Sequence, residues 1–453
     1  MARGKKTAKE LSPEEKLQQA LVPAAKQPYP VPENWCYFYF TSLIDIEGGT
    51  QPPKSQFADT CKDGYIRLAQ IRDFATDKYT VYVPDTPKMR HFNENDIMIA
   101  RYGASLGRIC TGLKGVYNVA LAKTIFSDDV LCRRYVYWML QSESFQAPLM
   151  QISRTAQAGF NKDDLSTFAM PLPPYAEQQR IVARIESLFT KLDEAKEKAQ
   201  AVVGGFELRK SAILHKAFTG ELTEQWRKEH GVVLDSWESV ALADICEVNP
   251  KKINTMDLPD NLEVSFFPMP ALSEIYGEIT EPQTRLLKEV RTGFTNFSEG
   301  DVVFAKITPC MENGKSAVIG KLVNNIGFGT TEFFVLRCTP KLYNRYLYHL
   351  LRDQHFRDEA KAVMAGAVGQ QRVPKSFLEE YPLQIPLLPE QKEIVQILDV
   401  SFAKEQHAKE TAEAVLAQID TMKKAILARA FRGELGTNDP AEEWAGELLK
   451  TIL

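Results

Sequence analysis

Four short motifs in this 453-residue chain set polar or small side chains at spacings that chemistry could use. Gly314-Lys315-Ser316 has the ending of a phosphate-cradling loop, where backbone N–H groups and a lysine hold nucleotide phosphates. That loop needs its first glycine at position 309, which is Pro309, so nucleotide hydrolysis is excluded. Leu172-Pro173-Pro174-Tyr175 has the outline of an amino-group methyl-transfer tetrapeptide. Such a motif needs Asp, Asn or Ser where Leu172 stands, and no AdoMet-binding glycine pattern accompanies it. Glu359-Ala360-Lys361 ends like a nuclease carboxylate–lysine pair but lacks an acidic partner on a preceding strand. Gly327-Phe328-Gly329 lacks the third glycine of a dinucleotide turn. The seven cysteines are scattered without a CxxC pair, which suits a reducing compartment and offers no zinc site. No catalytic residue and no metal ligand is assigned.

Composition narrows the class further. Hydrophobic residues are 44% and charged residues 25%, as in ordinary folded proteins. Lys and Arg number 55 against 59 Asp and Glu, a formal charge of −4. Attachment to nucleic acid or to an anionic membrane by bulk charge alone is therefore excluded, while local basic faces remain allowed. No 18-residue apolar run exists. Residues 1–29 carry six basic and three acidic groups, lack the apolar core of a secretory signal, and are expected to form a flexible basic arm. A cytoplasmic protein is expected.

Any functional groups must be positioned by elements that occur twice. Shifting the chain by 213 residues lays Glu177–Leu222 on Glu390–Leu435 with 21 identities in 46 positions and no gap. The match is strongest where AILHKAFTGEL (212–222) meets AILARAFRGEL (425–435). Upstream the likeness thins but persists, as Phe92–Arg101 against Phe297–Lys306 and Tyr135–Leu140 against Tyr346–Leu351. The unit is thus a variable block followed by a better-matched block, used twice.

The matched blocks read as long helices. Ile181, Ile185, Leu188, Leu192, Ala195, Ala199, Val202 and Phe206 step alternately by four and three, the seam of a coiled coil. The second copy gives Ile394, Leu398, Ser401, Glu405, Ala408, Ala412, Val415, Ile419, Met422 and Ile426, with Phe402 a substitute for Ser401. Pro-rich stops at 170–174 and 385–389 precede both helices, and Gly220 and Gly433 stand where caps are expected. The Gly204-Gly205 pair allows a local bend. Pairing of the two helices buries both seams, and an antiparallel pair would relate the blocks by an approximate twofold axis. The variable blocks read as mixed α/β, with strands at 65–71 and 301–305 and helices at 135–145 and 343–356. The expected fold is α+β: two mixed α/β domains and two long helices in a tandem repeat. Segments are an arm (1–29), a first domain (30–176), a central helix (177–235), a second domain (236–389), a distal helix (390–435) and a tail (436–453).

This arrangement resembles the specificity subunit of type I restriction–modification enzymes. The resemblance rests on the PLPP…EQQRIV and PLLPEQKEIV helix entries, the two GEL helix ends, the Gly48-Gly49-Thr50-Gln51-Pro52 turn and Asp96–Arg101. Val248-Asn249-Pro250-Lys251-Lys252 replaces that turn in the second block. The resemblance implies two target recognition domains, each reading one half of a bipartite, asymmetric site on double-stranded DNA. The helices would serve as spacer and as docking surface for two methyltransferase subunits, through which motor–nuclease subunits join. This chain would bind no cofactor; AdoMet, ATP and Mg would belong to the partners. It would be the non-catalytic part of the enzyme.

Reading heads need Arg or Lys for guanine and phosphate, and Asn or Gln for adenine. In the first domain the candidates are Lys54, Arg67, Gln70, Arg72, Arg101, Ser105, Arg108, Arg154, Gln157, Asn161 and Lys162. In the second they are Lys251, Lys252, Lys306, Asn313, Lys315, Gln370, Gln371, Arg372 and Lys375. Tyr102, Phe160 and Phe328 are candidates for stacking on a base. The helix ends, with Phe218, Gly220, Glu221, Leu222, Phe431, Gly433, Glu434 and Leu435, are candidate docking patches for two copies of one partner. The alternative is a solitary two-headed DNA-binding or coiled-coil adaptor protein without enzyme partners.

Overall fold

The computed structural model describes residues 12–155, 159–274, 277–367 and 369–452. Proline cannot donate to a strand ladder and is well tolerated where a helix starts, so each Pro-rich stop separates a strand from a helix. Strand Ala169–Leu172 ends before Pro173-Pro174, and the first long helix runs Tyr175–Gly204. Strand Pro382–Ile385 ends before Pro386, and the second long helix runs Leu388–Ala430. Gly205 keeps right-handed angles, and the N–H groups of Gly205 and Arg209 still reach the carbonyls of Ala201 and Gly205. The glycine pair therefore interrupts the helix for one residue before Phe206–Phe218 continues it.

The chain divides into two compact units, residues 1–199 with 414–453 and residues 200–413. Each unit joins one variable block to segments of both long helices, so the helices are not bodies separate from the blocks. In the first unit the strands are β1 (Cys36–Tyr39), β2 (Asp45–Gly48), β3 (Tyr65–Ala69), β4 (Tyr82–Pro84), β5 (His91–Phe92), β6 (Met98–Ala100), β7 (Ile109–Cys110), β8 (Gly115–Tyr117), β9 (Leu121–Ile125) and β10 (Ala169–Leu172). They form a β1-β10 ribbon and two four-stranded sheets, ordered β2-β9-β6-β7 and β4-β3-β8-β5. The second unit holds β11 (Glu238–Ala241), β12 (Cys246–Val248), β13 (Glu263–Phe267), β14 (Gln283–Leu286), β15 (Thr295–Phe297), β16 (Val302–Ala305), β17 (Ser316–Val318), β18 (Gly327–Gly329), β19 (Phe333–Cys338) and β20 (Pro382–Ile385). Its sheets are β11-β20, β12-β19-β16-β17 and β14-β13-β18-β15. The two orders coincide strand for strand, and in each unit one pair, β3·β8 or β13·β18, is parallel. The repeat thus extends through the variable blocks, where little sequence identity records it.

The expected strands and helices stand close to their positions. The run 65–71 is strand to Ala69 and then a short 3-10 turn at Ile71–Phe74. The helices are Arg133–Gln141 and Asn344–Arg352, each followed by a separate helix rather than continuing.

The first seam is as read: Ile181, Ile185, Ala199 and Phe206 are buried, and Leu188, Leu192, Ala195 and Val202 are half-buried. The second is displaced by one residue at every other position. Phe402, Lys409, Leu416 and Lys423 face inward, while Ala408, Val415 and Met422 are exposed. The reason lies in what each side chain meets. Lys409 lies over Phe206 in the second unit and Lys423 over Phe189 in the first, at 4.7 and 5.1 Å from the ring centres. Their aliphatic stems cover apolar surface while the ammonium keeps a π-face or a carboxylate. Within the second unit the pairs run antiparallel: Phe206 meets Lys409, Arg209 meets Glu405 at 2.7 Å, and Lys210 meets Phe402.

Of the segment expected to be a flexible arm, residues 1–11 lie outside the described residues and residues 12–29 are folded. Pro13–Ala20 is a helix with Ser12 capping it and Glu15 returning the bond, and Leu17 and Ala20 are buried. That helix packs beside the tail helix Gly446–Lys450, and Leu17 joins the first unit's core with Leu21 against it. An apolar stripe inside a mostly polar segment drives this, and net charge does not reveal it.

Candidate nucleic-acid interface

In both units three loops meet beside the ends of the parallel strands. In the first, the backbone N–H of Arg101, just after β6, bonds the carbonyl of Ala120, and its guanidinium donates twice to the carbonyl of Phe160, at 3.0 and 3.2 Å. The Gly48–Thr50 turn lies against the same place: the Thr50 N–H bonds Tyr117, and a Cβ on Gly49 would collide with the carbonyl oxygens of Tyr117 and Asn118. This close approach is why the turn is Gly-Gly. Asn118 in turn bonds Ala69, which sets Gln70 beside the junction.

The second unit repeats the arrangement with different residues. The N–H of Lys306, just after β16, bonds the carbonyl of Glu332. Thr308 and Gln371 exchange bonds, and Arg372 grips Glu332 with two bonds of 2.8 and 2.9 Å. Asn249 takes the place of the glycine turn at φ 55°, in the left-handed region that asparagine tolerates, and its side chain accepts from Val335 N–H. The segments 159–162 and 369–375, which hold several of the candidates, are therefore the equivalent third element in the two units.

Individual candidates differ in what holds them. Arg67 pairs with Asp77 at 2.8 Å, and Arg72 stacks on Tyr79 on the other sheet of the first unit. Lys162 pairs with Asp45 at 2.7 Å, and its hydrogen bond holds that carboxyl below the usual range. Arg372 does the same to Glu332. Lys315 is mostly covered, near Met269 carbonyl and Glu274, and so makes no phosphate cradle. Asn313 bonds Glu274, and Lys375 pairs with Glu379 along its own helix. Asn161 caps the following 3-10 turn by accepting from Asp163 and Asp164, a structural duty. Among the described residues no carboxylate comes within ion-pair reach of Lys54, Arg108, Lys251 or Lys252, all exposed. Lys306 lies over Phe334; Ser105 is half-buried and Gln370 exposed. Gln157 lies outside the described residues, as does the side chain of Arg154. Phe160 and Phe328 are only 2% exposed and belong to the core, so neither stacks on a base; Tyr102 is exposed at 36%. Asn118, Glu332 and Asn249 were not singled out. Their only sequence signal is position next to a Gly or Asn turn.

The helix ends are not free docking patches. Phe431 is fully buried against Tyr135, with ring centres 5.3 Å apart, and Phe218 is half-buried against Tyr346 at 5.4 Å. Gly220 is buried, Leu222 and Leu435 are half-buried against their unit's core, and Gly433 closes on Pro32; only Glu221 and Glu434 are exposed. The residues just beyond each end close a buried carboxylate at the start of the other long helix. Glu390 accepts from Trp237, Thr223 and Arg227, the last at 2.6 Å. Glu177 accepts from Trp35, Thr437 and Asn438. The adjacent Gln178 and Gln391 are spent on loop backbones, at Cys132, Val130 and Pro173 and at Tyr343, Lys341 and Pro386. Near-identity of the ends is explained by this shared intramolecular closure.

The residues of the short motifs are held in other contacts. Leu172 is a buried strand end, Glu359 faces His355, and Lys361 pairs with Glu312. Among the described residues no group of three or more His, Cys, Asp or Glu could hold a metal, and no helix is long and apolar enough to cross a membrane.

The model of the type I restriction modification DNA specificity domain matches residues 32–202 and 235–415. The chain therefore belongs to that family and carries its domain twice. It is 34% identical over 260 residues to the type I restriction enzyme EcoAI specificity subunit of Escherichia coli, and 32% over 260 residues to that of EcoEI. These matches cover 48% of this chain, and the chain spans less than half the length of those two relatives, 44% and 43%. The EcoKI specificity subunit of Escherichia coli K12 is 22% identical over 436 residues, with 91% of both chains covered. In fold, the chain is similar to the HsdS subunit from Thermoanaerobacter tengcongensis, with a TM-score of 0.63 at 18% identity over 90% of this chain and all of that one.

Proposed function

We propose that this chain is the DNA-reading subunit of a type I restriction–modification enzyme, each unit reading one half of a bipartite target. The observation that carries the reading is the three-loop junction built twice on one strand order with different polar residues. Equal scaffolds with unlike loops suit two heads that read unlike sequences. Lys54, Arg108, Lys251 and Lys252 are the phosphate-facing cations in this reading, being exposed and unneutralised. In this reading Gln70 and Asn118 in one junction, and Lys306 and Gln371 in the other, meet base edges, while Arg101 and Arg372 brace the loops through Phe160 and Glu332.

Methyl transfer and cleavage then belong to partner subunits that carry AdoMet, ATP and Mg. Docking of two methyltransferase subunits shifts from the helix ends to the outer helix faces, where Val415 and Met422 stand exposed seven residues apart. A neutral first block and an acidic second one leave part of the grip on DNA to those partners.

The test uses the chain assembled with its methyltransferase. Exchanging residues 366–375 for the corresponding loop of a relative should change the methylated sequence in one half of the target and leave the other half intact. Replacing Lys251 and Lys252 by Ala should weaken binding to all sequences alike and reduce the salt slope by about one for each phosphate no longer neutralised. A loop exchange that altered neither half, or both, would defeat the assignment.

A further inference from the structure

Two of the seven cysteines face each other across the second recognition sheet, and nothing in DNA reading uses them. β12 pairs antiparallel with β19, and Cys246 is the register partner of Cys338. The ladder around them defines the type of pair. Thr339 N–H bonds the carbonyl of Ile245, and Asn249 N–H bonds that of Val335, so the positions 245/339 and 249/335 are hydrogen-bonded pairs. Such pairs alternate along an antiparallel ladder, which makes Cys246/Cys338 a non-hydrogen-bonded pair. Opposed Cα atoms there lie about 4.5 Å apart, with side chains leaning together. Disulfides span Cα separations of about 4.4–6.8 Å, so the bond needs no movement of either strand.

We propose that Cys246 and Cys338 form a reversible dithiol–disulfide site, oxidised by peroxide. Cys338 is the half-buried member at the end of β19 and meets the oxidant first; Cys246 is buried behind it. The Cys338 thiolate attacks hydrogen peroxide and becomes a sulfenic acid, releasing hydroxide. The Cys246 sulfur then displaces the sulfenic hydroxyl, giving the disulfide and water. In sum two thiols and one peroxide give one disulfide and two waters. The hydrogen bond shared with Cys338, and then burial, hold the Cys246 thiol far above the ordinary range, so it enters the second step as a thiol; the register brings its sulfur to Cys338, and its proton leaves with the hydroxyl as water. β12 is an edge strand that leads directly into Asn249–Lys252, so the bond would pin the base of one loop group in one unit only. No cysteine occurs in β2, the corresponding strand of the first unit.

The experiment treats the full chain, with Cys61→Ser to remove an exposed thiol, with hydrogen peroxide and then counts alkylatable thiols under denaturing conditions. The expected result is a loss of two thiols, restored by dithiothreitol, and a tryptic pair joining residues 229–251 to 338–341. In Cys246→Ser, the same dose should instead leave a dimedone-reactive sulfenic acid on Cys338. Peroxide that left both thiols free, linked either to another cysteine, or drove Cys338 to sulfinic acid with Cys246 intact would overturn the proposal. Near-ultraviolet spectra of the reduced variant confirm that it is folded.

Discussion

At the scale of residues, the polar groups that repeat most faithfully serve the fold. Glu177 and Glu390 are fully buried, and each is closed by an indole N–H and by groups from the end of the other helix. A buried carboxylate is tolerated only with such partners, and removing one strands the other. Arg227→Met should therefore destabilise the second unit by about 3–5 kcal/mol, read from urea denaturation. A loss below about 1 kcal/mol would mean that Thr223 and Trp237 satisfy Glu390 unaided. His349 offers a pH test in the same unit. Burial lowers its pKa from the ordinary 6.5, against the pull of Asp399 at 3.3 Å, with Arg345 and Arg352 adding to the lowering. The unfolded chain therefore takes this proton first as pH falls. Its contribution is complete above pH about 6.5 and is lost as pH falls from there toward the folded value. His349→Asn should flatten that part of the stability profile; an unchanged slope would contradict the burial argument.

Elements were legible from sequence where local chemistry dictates them. Proline stops, glycine caps and the first heptad seam all stand as read. The second seam was one residue out at three positions, and at two of them Ala408 and Met422 look more apolar than Lys409 and Lys423. Nothing local shows that aromatic rings await the lysine stems. Ile419 is 2% exposed and Val415 is 39% exposed. Ile419→Ala should thus cost about 2–5 kcal/mol, whereas Val415→Ala should stay within about 0.5 kcal/mol. Comparable costs at the two positions would put Val415 back in the seam. If the exposed stripe is the docking face, Val415→Asp with Met422→Asp should keep the melting temperature and lose methyltransferase co-purification. Retained assembly would move docking elsewhere.

For the whole molecule, we propose that the helical blocks act as a ruler for the unread DNA between the half-sites. Because the helix segments pair antiparallel within the second unit, a heptad must be removed from both to keep the seam in register. That double deletion should shorten the tolerated spacer while both half-sites remain unchanged in a methylation assay. Unaltered spacing would end the ruler idea.

Family, duplication and helix positions were all readable from residue order, because each depends on composition or on neighbours a few residues apart. Burial of the GEL ends, the displaced seam, the fold of residues 12–29 and the opposed cysteines were not. Each depends on which distant surface a side chain meets: Phe431 is core because Tyr135 is there, and Cys246 has a partner because two strands about 90 residues apart pair in one register. The same holds for the cations proposed to meet DNA: packing decides which are already neutralised by Asp45, Asp77 or Glu332.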